Sequence, residues 1–248
     1  MLQKYDKKPV KASNYDLDNK NNALAWKIAR QAAIWSPVVA LIIWLFLVFN
    51  PSTYDFATGN FRTAREYTIV EMTTAFAFLA AALIATQTAI RHIKFGGKVQ
   101  SIAFFIFAAI AFVMAMEETQ WGQPILGYQI PGWMAEVNEQ NEFTFHNVGA
   151  AQGRAEIFYF AFILAVAALY LPRVPGIPPR AWMDFRPRRA LLPLLGCITF
   201  TALLKAVDPV LIPAAAPAGA VRWTTEITEL YIAIWSVAYA FDRRHSTA

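Results

Sequence analysis

Six blocks of predominantly apolar residues constrain the fold of this chain more than any other feature. They cover residues 32–49, 68–90, 99–116, 156–171, 190–207 and 223–241. A helix needs about 20 such residues to cross roughly 30 Å of hydrocarbon, and within lipid each backbone polar group must find its partner inside the protein. The blocks therefore predict an all-α fold, an integral membrane bundle of six helices, in which the fourth and fifth spans are the shortest.

The composition agrees with a protein that lies mostly in lipid. Hydrophobic residues make up 57% of the 248 residues and charged residues only 16%, whereas a soluble domain is about half apolar and a quarter charged. The single cysteine, Cys197, excludes an internal disulfide. No glycine-rich phosphate loop and no CxxC pair is present in the sequence, which argues against a nucleotide-binding or zinc-finger protein.

The distribution of charge predicts which way the helices run. If the N-terminus is cytoplasmic and six spans alternate, 17 of the 22 Lys and Arg residues fall in inner segments, as the positive-inside rule requires. Twelve of the 17 Asp and Glu residues then fall on the outer side. We therefore expect both termini in the cytoplasm and a multi-pass location in a bacterial inner membrane. The formal net charge of +5 reflects this orientation and does not predict binding to nucleic acid.

The N-terminal region predicts a segment distinct from the bundle. Residues 1–31 are polar and rich in lysine, so we expect a cytoplasmic tail whose last part, residues 23–33, lies as a basic helix on the membrane surface. Residues 32–242 form the predicted transmembrane domain, and residues 243–248 form a second cytoplasmic tail. The first apolar block is long enough to span and follows a long polar leader, which predicts a retained helix rather than a signal peptide.

Acidic residues gather at the predicted outer ends of the helices. The set comprises Glu71, Glu117, Glu118, Glu156, Glu226 and Glu229. An ionisable group inside a membrane is costly, so it is a functional-site hypothesis by default. A carboxylate in the first turn of a helix also favours the helix dipole, which accounts for Glu71, Glu156 and Glu226 about as well as a function does. Glu117 and Glu118 differ, because the dipole opposes a carboxylate at the end of a helix.

The segment after the third block carries a second group of ionisable side chains. Glu139, Glu142 and His146 would share one face if this stretch is helical, although Glu142 and His146 also fit an ordinary interfacial pair. We predict that Glu117, Glu118, Glu142 and His146 are catalytic. Carboxylates with one histidine suit a divalent cation, so one divalent metal ion is a candidate cofactor, and metal-free acid–base chemistry stays open. The predicted ligands of the metal ion are Glu118, Glu142, His146, Glu226 and Glu229.

Further residues of the same region predict contacts with a substrate. They are Trp121, Gln123, Asn138, Gln140, Asn147 and Arg154. Trp121 also fits an aromatic belt at the membrane surface, together with Trp133, Trp223 and Tyr128.

Two motifs in this region resemble those of a family of bacterial membrane proteins. They are Glu117-Glu118-x-x-Trp121-Gly122-Gln123 and Asn138-x-Gln140-x-Glu142-x-x-x-His146-Asn147. The family is an uncharacterised one of polytopic proteins, and the likeness covers residues 117–147 and a similar order of apolar blocks. The resemblance implies that this segment is the functional centre and implies no reaction. The chain departs from the family pattern at Thr119, Gln120 and Pro124.

The sequence leaves two functions open. The first is a membrane enzyme with a site at the outer face, which uses either a metal ion or acid–base chemistry on a lipid-like or quinone-like substrate. The second is a non-catalytic accessory or structural subunit of a larger membrane complex, whose partner subunits contact the N-terminal tail. A proton or cation pathway ranks lower, because the inner halves of the helices offer no buried charge. A di-iron site also ranks low, because Glu142 and His146 lack the required spacing and a second such pair.

Overall fold

A computed structural model describes residues 12–58, 69–138, 143–145, 148, 154–171, 182, 184–207, 216–217 and 219–246. The helices with described bounds are α1 (Ala12–Phe49), α2 (Pro51–Thr58), α3 (Ile69–Lys94), α4 (Lys98–Glu118), α5 (Gln123–Leu126), α6 (Gly132–Ala135), α7 (Ala155–Leu169), α8 (Leu192–Ala206) and α9 (Ala220–Ser246), with 3-10 turns at Gln120–Gly122 and Arg189–Leu191. Within these residues the remaining ordered backbone pairing outside helices and turns is an isolated β-bridge between Asn138 and Val148. The predicted all-α class is confirmed for this part of the chain.

Four described helices are long and apolar enough to cross a membrane. They are Lys27–Phe49 within α1, Ile69–Lys94, Lys98–Glu118 and Arg189–Ala206. Only 11% of the most apolar window of the first span is buried inside the protein, so most of that helix surface is left for lipid. By length and composition, the protein is therefore a membrane protein.

The six predicted spans are not all confirmed. The helix α7 is apolar but has only 15 residues, about 22 Å at 1.5 Å per residue, which is short of the roughly 30 Å of hydrocarbon. The helix α9 has 27 residues, which is long enough, but it is not among the helices apolar enough to qualify.

The position of α9 inside the bundle explains its low hydropathy. It packs along both α3 and α8, and its buried side chains include Thr224, Thr228 and Ser236. The Thr228 hydroxyl donates to the Thr224 carbonyl at 2.9 Å, and the Ser236 hydroxyl donates to the Ile232 carbonyl at 2.8 Å. Such bonds satisfy small polar side chains inside a bundle. A helix that its neighbours shield from lipid does not need apolar residues all round.

The helix α1 is continuous although it contains Pro37. A proline has no N–H, so the Ala33 carbonyl four residues earlier loses its helical partner. The Ser36 hydroxyl donates to that carbonyl at 2.9 Å, and the Tyr231 hydroxyl of α9 donates to the Pro37 carbonyl at 2.9 Å. The predicted boundary after residue 31 falls inside this helix, as does the predicted surface helix of residues 23–33, while residues 1–11 lie outside the described residues.

Alanines account for the close pairing of α3 with α4. The two helices are antiparallel and joined by a short turn. Small residues three or four positions apart let helix backbones approach each other closely within lipid. The buried alanines include Ala81, Ala85 and Ala89 of α3 and Ala108, Ala111 and Ala115 of α4. This pairing places the start of α3 beside the end of α4.

The alternation of the helices gathers polar residues at two opposite ends. At one end the Arg91 guanidinium of α3 donates to the Arg244 carbonyl of α9 at 3.0 Å. Asp242 pairs there with Arg243 and, at 2.5 Å, with Arg188. We call this the basic end. The starts of α3, α7 and α9 and the end of α4 lie at the other, which we call the acidic end after Glu71, Glu117, Glu118, Glu226 and Glu229.

Candidate functional site

The chain leaves α4 through a strained turn. Gln120 and Trp121 have φ angles of 49° and 54°, a left-handed conformation that costs a non-glycine residue on the order of 1–2 kcal/mol. The Tyr128 hydroxyl donates to the carbonyls of both, at 3.3 Å and 3.1 Å. Burial raises the pKa of the Tyr128 phenol, so this group remains a donor. The turn is therefore held in place by hydrogen bonds to its own backbone.

Glu117 anchors this turn and the following loop to α4. Its side chain is buried, with 7% exposed. One carboxylate oxygen accepts a 2.6 Å hydrogen bond from the Trp121 indole, and the other accepts a 2.8 Å hydrogen bond from the Phe145 backbone N–H. Both oxygens are thus engaged by residues that follow α4. The geometry favours a positioning role for Glu117 over direct contact with a substrate.

Two more residues predicted to bind substrate also fold the loop. The Gln123 side-chain oxygen accepts a 2.7 Å hydrogen bond from the Phe143 backbone N–H. The Asn138 amide donates to the Thr144 carbonyl at 3.4 Å, and Asn138 pairs with Val148 in the isolated bridge. The motif residues that the structure describes thus hold residues 143–145 and Val148 against the end of α4.

Aromatic rings cover the same turn. The rings of Phe143 and Phe145 meet the Trp121 indole edge to face, with centroids 6.4 Å and 6.0 Å away, and Tyr128 meets Phe143 in the same way at 5.7 Å. Such arrangements are favourable pairings of aromatic quadrupoles. Trp121 therefore belongs to a folded aromatic cluster. Trp133 is 59% exposed, and the aromatic belt at the membrane surface stays a prediction.

Glu118 has a different environment from its neighbour. Its carboxyl group interacts electrostatically, in decreasing order, with Glu229 and Glu226 of α9, then with Glu71 of α3, and last with Glu117. Three helices therefore contribute carboxyl groups to the surroundings of Glu118. Ionised carboxylates near one another repel, and a hydrogen bond that a donor makes to one of them is a stabilising interaction.

Tyr159 provides one such interaction, and the sequence reasoning missed it. It is buried in α7, and its hydroxyl donates a 2.5 Å hydrogen bond to a Glu229 carboxylate oxygen. Its hydroxyl group also interacts electrostatically with Glu226 and Glu118. A signal was present, because Glu156 and Tyr159 are three residues apart and are the two polar side chains in an otherwise apolar helix.

Glu156 and Arg154 lie at the start of α7. One carboxylate oxygen of Glu156 is buried and has no hydrogen-bond partner among the described residues. Arg154 precedes the first residue of α7, and its side chain is exposed. Burial of an unpaired carboxylate oxygen is unfavourable, so this oxygen can accept a hydrogen bond from a group outside the described residues.

Several predicted site residues lie outside the described residues. These are Glu139, Gln140, Glu142, His146 and Asn147. Their roles as catalytic, substrate-binding or metal-binding residues stay predictions. Within the described chain, no group of three or more His, Cys, Asp or Glu side chains is arranged to hold a metal ion. Glu118, Glu226 and Glu229 alone thus do not form a metal site, and the predicted metal site is not supported there.

Comparison of the chain with protein-family models, curated proteins and solved structures finds no match in any of the three. Membership of the family that the motifs resemble stays a prediction. The function is therefore inferred from the acidic end itself.

Proposed function

We propose that the protein is a polytopic membrane enzyme whose acidic end carries out acid–base chemistry. The observation that supports this most directly is the meeting of Glu118 with the carboxyl groups of α9, beside the short hydrogen bond from Tyr159. Carboxylates near one another repel when all are ionised, which favours a proton shared within the group. A shared proton at the membrane boundary is suited to transfer to and from a substrate.

The proposed roles follow from the contacts of each side chain. Glu118 is the proton donor and acceptor, because carboxyl groups of α3 and α9 act on it electrostatically. Tyr159 orients Glu229 through their 2.5 Å hydrogen bond. Glu117 is a positioning residue, because its two oxygens hold Trp121 and Phe145.

The proposed substrate is lipid-like or quinone-like. The acidic end borders helices that would cross the membrane, and Ile125 and Leu126 beside the strained turn expose 78% and 73% of their surface. Apolar side chains at this level suit a molecule whose tail stays in lipid while its polar head reaches Glu118. The carboxyl groups of the acidic end favour a neutral or cationic head over an anionic one.

The proposed location is the inner membrane of a bacterium, with the acidic end at the periplasmic face. The distribution of Lys and Arg along the sequence supports this orientation. The resemblance of the two motifs to bacterial polytopic proteins agrees with it.

A metal-dependent form of the same proposal needs residues beyond the described ones. Glu142 and His146 would have to join Glu118, Glu226 or Glu229 to complete a set of ligands. Elemental analysis of the purified protein tests this form, and a metal-free preparation with full stability would remove it.

Infrared difference spectroscopy of the purified protein tests for the shared proton. We expect a band from a protonated carboxyl group at neutral pH that disappears in Glu118→Gln. The matched control is Glu136→Gln, which changes an exposed carboxylate in the loop after α6 and should leave the band intact. A spectrum without this band in the unmodified protein would remove the acid–base proposal.

Activity is tested by incubating the protein with extracted membrane lipids and quinones and following their conversion by mass spectrometry. Loss of a general acid or base typically lowers the rate by about 100-fold to 10,000-fold, and we expect a loss in this range for Glu118→Gln. Full conversion by this variant would contradict the role of Glu118.

The alternative of an accessory subunit is favoured by one observation on α1. This helix begins at Ala12, well before its apolar span starts at Lys27, and most of the span is not buried by the rest of the protein. A partner that packs along α1 would use this surface. Deletion of residues 1–22 should then release co-purifying proteins while leaving the acidic end unaffected, whereas unchanged co-purification would contradict a subunit role of the tail.

A further inference from the structure

A groove at the basic end is separate from the site proposed above. It lies between the start of the span in α1 and the turn that begins α8, and its volume is about 670 Å³. Arg30, Gln31, Ile34 and Trp35 form one wall, and Arg189 and Leu192 belong to the other. The groove therefore combines two guanidinium groups with apolar side chains.

The two arginines of the groove have no carboxylate partner within the part of the chain that the structure describes. Both Arg30 and Arg189 are exposed, and neither takes part in an ion pair there. The neighbouring Arg188 differs, because it pairs with Asp242 at 2.5 Å. The positive charge inside the groove is thus not neutralised by these residues and is complementary to an anion.

The depth of the groove matches the level of lipid phosphates. The two candidate spans that border it begin at Lys27 and at Arg189, so both arginines lie where the apolar helices enter the polar surface of the membrane. A guanidinium binds phosphate oxygens in a bidentate fashion, and the long arginine side chain reaches from an apolar helix surface to the headgroups.

The apolar wall lies on the membrane side of Arg30 and Arg189. Ile34 and Trp35 follow Arg30 by one turn of α1, and Leu192 follows Arg189 by one turn at the start of α8. Trp35 and Leu192 expose 54% and 43% of their surface. These residues offer an acyl chain a surface directly below a bound phosphate.

We propose that this groove binds one anionic phospholipid of the bilayer, with its phosphate between Arg30 and Arg189 and an acyl chain along Trp35 and Leu192. The apolar wall favours a lipid over free phosphate, because a lipid also has an acyl chain that can pack against the apolar side chains. The site does not depend on the chemistry of the acidic end. It would fix the position of α1 against α8 by a molecule held between them.

Lipid retention by the full-length protein in detergent tests the proposal. Phosphatidylglycerol is the probe, phosphatidylcholine is the neutral comparison, and bound lipid is counted by native mass spectrometry. A basic residue near an anionic membrane surface contributes about 1 kcal/mol, or roughly a fivefold change in binding. We expect Arg30→Gln and Arg189→Gln each to weaken phosphatidylglycerol binding about fivefold, and Leu192→Asn to weaken it as well.

The matched control is Arg222→Gln, which changes an exposed arginine near the start of α9, at the acidic end. Its phosphatidylglycerol binding should equal that of the unmodified protein. An equal loss in the control, or unchanged binding in the double variant of Arg30 and Arg189, would overturn the proposal. Displacement of the lipid by millimolar inorganic phosphate would also overturn it, because the site would then be one for free phosphate.

A second measurement uses the unmodified protein and so does not depend on the folding of any variant. A photoactivatable phosphatidylglycerol with its reactive group in the acyl chain is added to nanodiscs that contain the protein. We expect crosslinks to residues 31–35 and 190–193. Crosslinks confined to other helices would refute the proposed position.

Discussion

Replacement of Trp121 by phenylalanine isolates the hydrogen bond on which the loop after α4 depends. Phenylalanine keeps an aromatic ring for the edge contacts with Phe143 and Phe145, but it cannot donate to Glu117. The backbone strain at position 121 stays the same, because the left-handed region is as unfavourable for phenylalanine as it is for tryptophan. The change therefore removes one donor from a buried carboxylate, together with one of the two rings of the indole.

The size of the effect follows from the burial and charge of Glu117. A hydrogen bond to a charged group contributes about 1.5–3 kcal/mol, and the 2.6 Å bond to a side chain with 7% exposure lies in that class. The Phe145 backbone N–H donates to the other oxygen of the same carboxylate. Loss of the indole donor should therefore raise the opening equilibrium at Phe145 by about 10-fold to 100-fold.

Hydrogen exchange of the Phe145 amide measures this change directly, because exchange requires the N–H to leave Glu117. The control is Trp133→Phe, since Trp133 is 59% exposed and no hydrogen bond of its indole contributes to the loop in the described residues. We expect fast exchange at Phe145 in the Trp121 variant alone. Unchanged protection at Phe145 would show that Glu117 does not hold the loop through these bonds.

Two further changes test the two ends of the bundle. Tyr159→Phe removes the donor to the half-buried Glu229 and should lower the free energy of unfolding in detergent by about 1.5–3 kcal/mol, whereas a Glu229→Gln background should remove most of that loss. Asp242→Asn removes the carboxylate that pairs with the buried Arg243 and should cost about 3–5 kcal/mol, whereas Arg188→Gln, whose side chain is 62% exposed, should cost less than about 1 kcal/mol. Equal losses for Asp242→Asn and Arg188→Gln would contradict the difference in burial.

The sequence predicts the helical class well because lipid imposes one simple requirement. Long apolar blocks predict membrane spans directly, and the blocks within α1, α3, α4 and α8 are candidate spans in the structure. The helix α9 shows where this reasoning weakens. Its buried threonines and serine face other helices rather than lipid. A single sequence does not reveal which helices are shielded from lipid by other helices.

The candidate site is predicted only in part, for a similar reason. The unusual carboxylates Glu117 and Glu118 stand out because the end of a helix disfavours them. Because they are adjacent, the sequence does not show that they have different roles. Glu117 holds the loop, whereas Glu118 interacts electrostatically with Glu226 and Glu229. The sequence does not single out Tyr159, because tyrosine is common at membrane surfaces. Its partner Glu229 becomes evident only from the packing of α7 in the bundle.

The polar character of α9 has a consequence for how the protein is made. Residues of low hydropathy partition poorly from the translocation channel into lipid, so α9 is a weak candidate for independent insertion. Both of the helices that it packs against, α3 and α8, precede it in the chain and leave the ribosome first. We expect α3 and α8 to insert first and α9 to insert by packing against them. The helix that contributes Glu226 and Glu229 would then be added last.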